Sequence, residues 1–227
     1  MRSFILLIFA VTLFSCRVKP EILPRFPNQS SAIVFEFVIP KTLMGYFYPK
    51  RVMLVKLDKS KNNISELKMV ETNFLSRSRY YVFNIEPGEY AFVGAHVQEL
   101  DPQTKKQANM YYVMDRLNLE KSKFSVKENQ IIVLGKYIAD FNESKLGNDS
   151  DMDNVGESIV GSFKTSLSAK IGSAIISTLL TGDAGQSDSS GYAGFKEIIQ
   201  TSEIIEEMKQ QTKLDLEETK WSSLPIQ

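Results

Sequence analysis

Short apolar runs separated by turn residues occupy positions 32–140, and they constrain the fold more than any other feature of the sequence. Each run has 6–10 residues and is rich in Val, Ile, Phe and Tyr, which are residue types that favour β-strands. The runs are AIVFEFVI, RVMLVKL, RYYVFNI, EYAFVGAHV, MYYVMDRL, SKFSVK and QIIVLGKYIA, and ISELKMVE would be an eighth. Seven or eight strands at this spacing predict an antiparallel β-sandwich or a closed antiparallel sheet, and we expect the sandwich.

Beyond position 140 the pattern changes from strands to helices. Apolar residues recur every four positions over 155–180, which predicts an amphipathic helix, and Lys164 and Lys170 within it argue against a membrane span. A loop rich in glycine and serine is expected at 181–194, followed by a strongly charged helix over about 195–219. The predicted fold class is therefore α+β and mainly β, with a sandwich of about seven to eight strands followed by two helices.

The first 15 residues have the composition of a removable export signal. Arg2 supplies a positive charge, and residues 4–14 form an apolar segment. This segment is too short to cross a bilayer as a helix, which takes about 20 apolar residues. We therefore expect the mature protein to be exported.

The stretch LFSC at the end of this signal resembles the lipobox of bacterial lipoproteins. Leu13, Ser15 and Cys16 match its aliphatic residue, its small residue and its lipidated cysteine, and the bulkier Phe14 is similar to the looser lipoboxes of spirochaetes. The resemblance implies cleavage before Cys16, a diacylglyceryl group on its sulfur and an acyl chain such as palmitate on its amine. Arg17 stands where an aspartate would retain the protein in the inner membrane, which implies an outer-membrane destination. The alternatives are an ordinary signal whose removal leaves a free thiol, and a buried cysteine of no special role.

Residues 16–31 are rich in proline, with Pro20, Pro24 and Pro27 three or four positions apart. Because proline fixes φ and lacks an N–H donor, this stretch is expected to form an extended tether that holds the domain up to roughly 40 Å from the lipid. The alternative is a disordered N-terminus. The predicted organisation is a signal peptide at 1–15, a tether at 16–31, a β-sandwich at 32–140, and a linker with a helical region at 141–227.

A Pro-Gly turn lies in FNIEPGEYAFV, residues 83–93. Pro87 presets φ for the second position of a turn and Gly88 accepts the positive φ of the third, so we predict a type II turn that joins two strands as a hairpin. This arrangement is similar to one in prealbumin-like sandwiches, including transthyretin-like domains, and the resemblance implies a β-sandwich. KENQ, at 127–130, predicts a second hairpin turn.

The aromatic residues Tyr46, Phe47 and Tyr48 stand in MGYFYPKR, which we expect to be a loop after the first strand. Exposed aromatics beside basic residues are common in interfaces, so these three residues form the candidate binding surface. The alternative is that their rings close one end of the core. His96, the one histidine, is expected to be structural, and the sequence has no GxSxG motif, so no catalytic residue is proposed.

Alternating acidic residues in NDSDMDNVGE, at Asp149, Asp151 and Asp153, are a feature of calcium loops. The EF-hand pattern requires a glycine at its sixth position and an acidic residue at its twelfth, and Asn154 and Val160 stand there instead. We therefore predict a solvated linker that caps the following helix, with no metal and no cofactor.

Charge and motif content together favour a binding role in the cell envelope. The sequence has 27 basic and 27 acidic residues, and without Arg2 the basic count is 26, whereas a nucleic-acid-binding protein shows a clustered basic excess. We expect no nucleic acid, and instead a lipid-anchored, non-enzymatic binding or accessory module with a protein partner. Two alternatives stay open: an envelope hydrolase that uses carboxylates on carbohydrate, and a lipid-binding or pore-associated protein that uses the 155–180 helix.

Overall fold

The structure is a computed structural model, and it describes residues 18–25, 30–40, 46–58, 67–100, 107–114, 116–140 and 187–227. Within these ranges the chain forms eleven β-strands, two α-helices and a 3₁₀ turn. The strands are β1 Ala32–Pro40, β2 Tyr46–Phe47, β3 Arg51–Leu57, β4 Met69–Glu71, β5 Phe74–Ser76, β6 Arg79–Phe83, β7 Gly88–Leu100, β8 Gln107–Met114, β9 Phe124–Val126, β10 Ile131–Asp140 and β11 Ser187–Ile199. The helices are α1 Arg116–Lys121 and α2 Ser202–Leu216, and the 3₁₀ turn is Lys220–Ser223.

Each of the seven predicted runs contains a strand, although MYYVMDRL ends in α1 at Arg116 and Leu117, and the ISELKMVE run contains β4. β1 explains why these runs are nearly continuous in apolar residues: it is buried on both of its faces, so it does not need alternating polar side chains. The sequence pattern does not predict β2, β5 or β11. β2 and β5 have only two and three residues, which is too short for a periodic pattern.

The strands form one mixed sheet in the order β4-β3-β7-β8-β11-β10-β1-β6-β5, with β2 paired to β1 and β9 paired to β7. β1 and β10 run parallel, as do β8 and β11, and the other pairs are antiparallel. The expectation of a mainly β, α+β protein is confirmed, but the antiparallel sandwich is wrong. Strand propensity identifies which residues are extended, and it does not identify the distant strand to which they bond.

β11 lies in the centre of the sheet, between β8 and β10. Its first half pairs parallel with β8, and its second half pairs antiparallel with β10. The predicted loop over 181–194 and the predicted helix from about 195 are therefore wrong at positions 187–199. The residues SDSSGYAG have low strand propensity, and the hydrogen bonds with β8 override it. The sheet thus extends beyond positions 32–140.

α2 begins at Ser202, where the Thr201 hydroxyl accepts a hydrogen bond from a backbone N–H of the first turn at 3.4 Å. It ends at Leu216, so the helix predicted over about 195–219 is confirmed only within these limits. The other predicted helix, over 155–180, lies outside the described residues. The side chains that α2 buries are Met208, Thr212, Asp215 and Leu216.

Apolar side chains on the two faces of the curled sheet form separate clusters. The inner cluster is rich in aromatic rings, among which Phe92 and Tyr137 have ring centroids 4.4 Å apart. The outer face of β1, β6 and β10 is covered by α2 and by Trp221. This outer cluster consists of Ala32, Val34, Tyr81, Phe83, Ile131, Val133, Met208, Leu216 and Trp221. Its burial removes apolar surface from water and so holds α2 on the sheet.

The sheet curls so that its two edge strands, β4 and β5, follow each other in the chain. β4 pairs with β3 and β5 pairs with β6, and only Thr72 and Asn73 separate them. The Thr72 N–H donates to the Val52 carbonyl at 3.0 Å, and the Asn73 N–H donates to the Tyr81 carbonyl at 2.9 Å. The chain therefore passes from one edge of the sheet to the other at Thr72 and Asn73. The two edges lie next to each other there, and the curled sheet encloses the inner cluster.

A β-bulge divides β10 into two parts with different neighbours. Leu134 and Gly135 of β10 together oppose Phe35 of β1. Gly135 has a φ of +91°, in the left-handed region that favours glycine. Before the bulge β10 bonds to residues 225–227, and after it β10 bonds to β11.

The two predicted hairpins are wrong, although both segments do connect consecutive strands. The Pro-Gly segment links β6 to β7, but β6 pairs with β1 and β5 whereas β7 pairs with β3, β8 and β9. Gly88 there has a φ of +148°, and a Cβ on it would lie 2.8 Å from Lys56 Cε. KENQ contains a turn with Asn129 at a φ of 55°, but the strands on either side of it, β9 and β10, do not pair with each other.

Candidate functional site

We define residues 18–25 as the N-terminal strap, because they lie across α2 and the 3₁₀ turn that follows it. The indole Nε1 of Trp221 donates a hydrogen bond to the Ile22 carbonyl at 2.6 Å. The Ile22 side chain packs on the outer cluster, where Trp221 is fully buried with its ring centroid 4.6 Å from that of Phe83. Pro20 of the strap is also buried. The strap therefore completes the outer cluster.

Lys19 fixes the first part of the strap to the end of α2. Its Nζ donates to the Glu217 carbonyl at 2.7 Å and pairs with Glu218 Oε2 at 2.6 Å. A cation is favourable at this position, because the carbonyls at the end of a helix carry partial negative charge. The ion pair lowers the pKa of Glu218 below its ordinary value through the Lys19 hydrogen bond and charge.

Asn84 fixes the second part of the strap. Its side-chain Nδ2 donates to the Leu23 carbonyl at 2.9 Å, and its Oδ1 accepts from the Arg25 N–H at 3.0 Å. Asn84 has a φ of 58°, a conformation that asparagine tolerates better than most residues. The strap is thus held at both ends, and the extended tether expected over 16–31 is not a free spacer at residues 18–25. Cys16 lies outside the described residues.

A buried carboxylate joins α2 to the sheet beneath it. Asp215 is fully buried, and it accepts hydrogen bonds from Arg79 Nε at 2.8 Å and Arg79 Nη2 at 3.0 Å. The Tyr81 hydroxyl donates to it at 2.6 Å and the Ser76 hydroxyl donates at 2.9 Å. A carboxylate offers about four acceptor positions, so these four bonds use its whole capacity.

The groups around Asp215 stay in the protonation states that this network requires. Burial alone would lower the pKa of Arg79, but the hydrogen bond and charge of Asp215 outweigh it, and the pKa rises above its usual value. Burial raises the pKa of Tyr81, and the Asp215 charge raises it further. Arg79 therefore remains charged and Tyr81 remains a neutral donor. Among the residues whose burial is described, Asp215 is the one buried Asp or Glu, and this arrangement makes it structural.

His96 has the structural surroundings expected of it. It is fully buried on β7, its Nε2 lies 3.1 Å from Asn109 Oδ1, and its ring stacks on Tyr111 with centroids 4.9 Å apart. Its backbone carbonyl accepts from the Lys50 N–H at 2.8 Å. The histidine thus connects β7 to β8 and to the segment that precedes β3.

The three aromatic residues of the candidate binding surface do not all lie in a loop. Tyr46 and Phe47 form β2, paired with the end of β1, and nothing further is described of their side chains. Tyr48 follows β2 and keeps 49 % of its surface exposed. The residues after it are fixed, since the Tyr80 hydroxyl donates to the Pro49 carbonyl and Lys50 Nζ donates to Gln98 Oε1 at 2.7 Å.

Tyr80 links the exposed Tyr48 to the core. Burial raises the pKa of Tyr80, and the nearby Tyr48 phenol raises it further. Tyr80 therefore stays neutral and keeps donating to the Pro49 carbonyl, with its own ring stacked on Phe35 at 5.8 Å. Tyr48 is thus an exposed aromatic on a segment of fixed position.

A surface ion cluster surrounds Glu86 near the Pro-Gly segment. Lys68 Nζ lies 2.8 Å from Glu86 Oε1, and Lys56 Nζ lies 3.0 Å from Glu86 Oε2. The hydrogen bonds and charges of these two lysines, of which the Lys68 hydrogen bond is the largest single cause, lower the pKa of Glu86 to about 2.

The ion cluster predicts a pH-dependent contribution to stability. Because the pKa of Glu86 is lower in the folded than in the unfolded chain, the contribution is present above the ordinary glutamate pKa and is lost as the pH falls toward 2. In Glu86→Gln, the midpoint of urea unfolding should fall less steeply between about pH 5 and pH 2 than in the unchanged protein. The effect should be small, since the cluster is exposed to solvent. Equal slopes in the two proteins would contradict the assignment.

The remaining sequence expectations concern metals and membrane spans. Among the residues that the structure describes, no group of three or more His, Cys, Asp or Glu side chains could hold a metal ion. The acidic stretch at 148–157, considered above as a calcium loop, falls in the part of the chain that is not described. No helix in the described ranges is both long enough and apolar enough to cross a bilayer.

Comparison of the chain with protein families, with curated proteins and with solved structures gave no match.

Sequence reasoning identifies Tyr48 but misses the strap contacts and the Asp215 network. The prolines of the strap predict an extended chain, but they carry no signal for what that chain contacts. One signal is visible: Asp215 lies on the same helix face as Met208 and Leu216, and a carboxylate on an apolar face implies a buried partner. The partner, Arg79, is 136 positions away and cannot be identified from spacing.

Proposed function

We propose that this chain is a lipid-anchored protein of a bacterial cell envelope, exported to the outer membrane and acylated on Cys16. The support is the resemblance of LFSC to a lipobox at the end of an export signal. The domain that follows acts as a non-enzymatic binding or accessory module for a protein partner in the envelope.

The observation that carries the binding role is the exposed Tyr48 on a fixed segment. Ordering a side chain on binding costs conformational entropy, and that cost is lower where the backbone is already held in place. Tyrosine adds a large apolar ring and a polar hydroxyl, and it is among the residues that dominate interface energetics. The exposed Lys50 beside it supplies a charge at the rim of such a contact.

The carboxylate-dependent hydrolase gains no comparable support. Such an enzyme needs a carboxyl group that can exchange a proton with a substrate. Asp215 is fully buried, and Arg79, Tyr81 and Ser76 already bond to its oxygens. The lipid-binding alternative depends on the 155–180 segment, which lies outside the described residues.

The test is affinity capture of the acylated protein from native membranes. Tyr48→Ala should reduce recovery of the partner by about 30-fold in apparent affinity, the effect of losing about 2 kcal/mol at an interface. The matched control is Leu117→Ala, which removes another exposed apolar side chain, 72 % accessible, on α1. The mass of the mature N-terminal peptide is measured on the same material and should include the lipid on Cys16.

Equal recovery with Tyr48→Ala and Leu117→Ala would exclude Tyr48 as the binding surface. An unmodified thiol on Cys16 would exclude the lipid anchor. The two results are independent, because the first concerns the folded domain and the second concerns its N-terminus.

A further inference from the structure

We propose that the N-terminal strap seats the folded domain directly on the membrane, with the Glu217–Glu218 end of α2 facing the lipid headgroups. This inference rests on the proposed acylation of Cys16. It concerns what the strap does to the anchored domain. The surface that faces the bilayer is thereby assigned to the end of α2.

The first step is chain length. A fully extended chain spans at most about 3.3–3.6 Å per residue, so Cys16 lies no more than about 7 Å from Val18 and about 11 Å from Lys19. A free tether that reached Ser31 would have 15 residues and could span about 50 Å. Docking of the strap therefore shortens the possible distance between lipid and domain by a factor of about four to five.

The second step is that the strap is a fixed part of the domain. Lys19 bonds to the end of α2, Ile22 to the indole of Trp221, and Leu23 to the side chain of Asn84. Release of the strap would remove these bonds together and expose the Trp221 ring, which is fully buried. The separate attachments at its two ends keep part of the strap on the domain even when one of them opens.

The third step concerns charge at the assigned surface. The Lys19–Glu218 pair is internally neutral, and the exposed Lys213 and Lys220 stand near the exposed Glu217. The surface is therefore close to balanced and offers little attraction to anionic lipids, which requires clustered basic residues. The distance between the domain and the bilayer is accordingly set by the length of chain between the lipid and the strap. This distance should not depend on salt concentration.

Trp221 provides the measurement, since it is the one tryptophan in the chain and lies beneath the strap. The acylated protein is placed in vesicles of phosphatidylethanolamine and phosphatidylglycerol that contain a dansyl-labelled headgroup lipid. Energy transfer from Trp221 to dansyl should be efficient, and it should not change between about 0.05 and 0.5 M KCl, a range over which the screening length falls severalfold. A marked loss of transfer with salt would show that charge holds the domain there, and would overturn the proposal.

Two variants separate seating from anchoring. The first inserts 20 Gly and Ser residues between Arg17 and Val18, which leaves the strap docked but adds about 25 Å of flexible chain, and it should lower transfer at least twofold. The second combines Lys19→Ala with Asn84→Asp, which removes contacts at both ends of the strap while keeping a residue that tolerates positive φ at position 84. It should also lower transfer and shift the Trp221 emission toward that of an exposed indole.

The outcomes distinguish this proposal from the one on which it rests. Acylated protein whose transfer is unchanged by the insertion would overturn the seating and leave the anchor intact. An unmodified Cys16 in the native protein would overturn the anchor. In that case the same protein, coupled through its Cys16 thiol to a maleimide lipid, shows whether the strap alone imposes the geometry, and low transfer there would overturn it.

Discussion

Replacing Asp215 by leucine is expected to lower the free energy of unfolding by about 3–5 kcal/mol, the cost of breaking a buried ion pair by removing one partner. For a chain of this size the melting temperature should fall by roughly 6–20 °C. The reason is that Arg79 would remain charged and buried without a counter-ion, and the hydroxyls of Tyr81 and Ser76 would lose their acceptor. Urea and thermal unfolding followed by circular dichroism measure the change.

The matched control for Asp215 is a second arginine–carboxylate pair that is less buried. Arg51 Nη1 lies 2.7 Å from Glu71 Oε2, with side-chain exposures of 19 % and 31 %. Because exposed pairs contribute little, Glu71→Leu should cost about 0–1 kcal/mol. The double variant Arg79→Met with Asp215→Leu should recover much of the loss, since no charge is then left unpaired. Similar costs for Asp215→Leu and Glu71→Leu would refute the role assigned to the network.

Replacing Gly135 by alanine is expected to cost about 2–6 kcal/mol, the sum of two separate penalties. The φ of +91° is in the left-handed region, which costs about 1–3 kcal/mol for a residue with a Cβ. The added Cβ would also lie 2.4 Å from the Ile199 carbonyl oxygen, a backbone atom that cannot move without disturbing the pairing of β10 with β11. That steric strain costs a further ~1–3 kcal/mol. Urea unfolding measures the total.

Gly194→Ala is the control for this substitution. Its added Cβ would lie 2.8 Å from Asn118 Nδ2, which is the end of a side chain and can rotate away. Rotation weakens one hydrogen bond, since Asn118 Oδ1 accepts from the Phe195 N–H at 3.0 Å, and the cost should be about 1 kcal/mol. If the two alanine variants were equally stable, the bulge would not require glycine at position 135.

The sequence predicts the strands of this fold better than their arrangement. The residues of β1 and β7 predict an extended chain because they are rich in β-branched and aromatic side chains. Strand propensity of this kind can be read from a short stretch of sequence. The parallel pairing of β1 with β10 depends on residues far apart in the chain, and no local pattern encodes it. β11 is the extreme case: SDSSGYAG resembles a loop, and Phe195, Ile198 and Ile199 have helical spacing.

In the candidate site too, some residues can be predicted from local sequence and others cannot. Tyr48 can be found from its neighbours, since an aromatic run beside basic residues after a strand predicts an exposed contact. The strap cannot be found, because prolines restrict the backbone but do not specify the surface on which it lies. The lipobox resemblance of LFSC remains a prediction about processing, and it is independent of both.

The hydrogen bond between Trp221 and Ile22 also places a limit on the order of folding. The two residues are separated by 199 positions, and long-range contacts of this kind form late because they require closure of a large loop. At roughly 5–20 residues per second, synthesis of Trp221 follows that of Ile22 by about 10–40 s.

Throughout that interval the Trp221 indole and the end of α2, to which Ile22 and Lys19 bond, have not yet been made. If Cys16 is processed as proposed, the enzyme that acts there has its best access to the nascent chain. Once the strap has closed over Trp221, the same peptide lies against a folded surface. The timing of synthesis would thus separate the proposed processing of the N-terminus from completion of the fold.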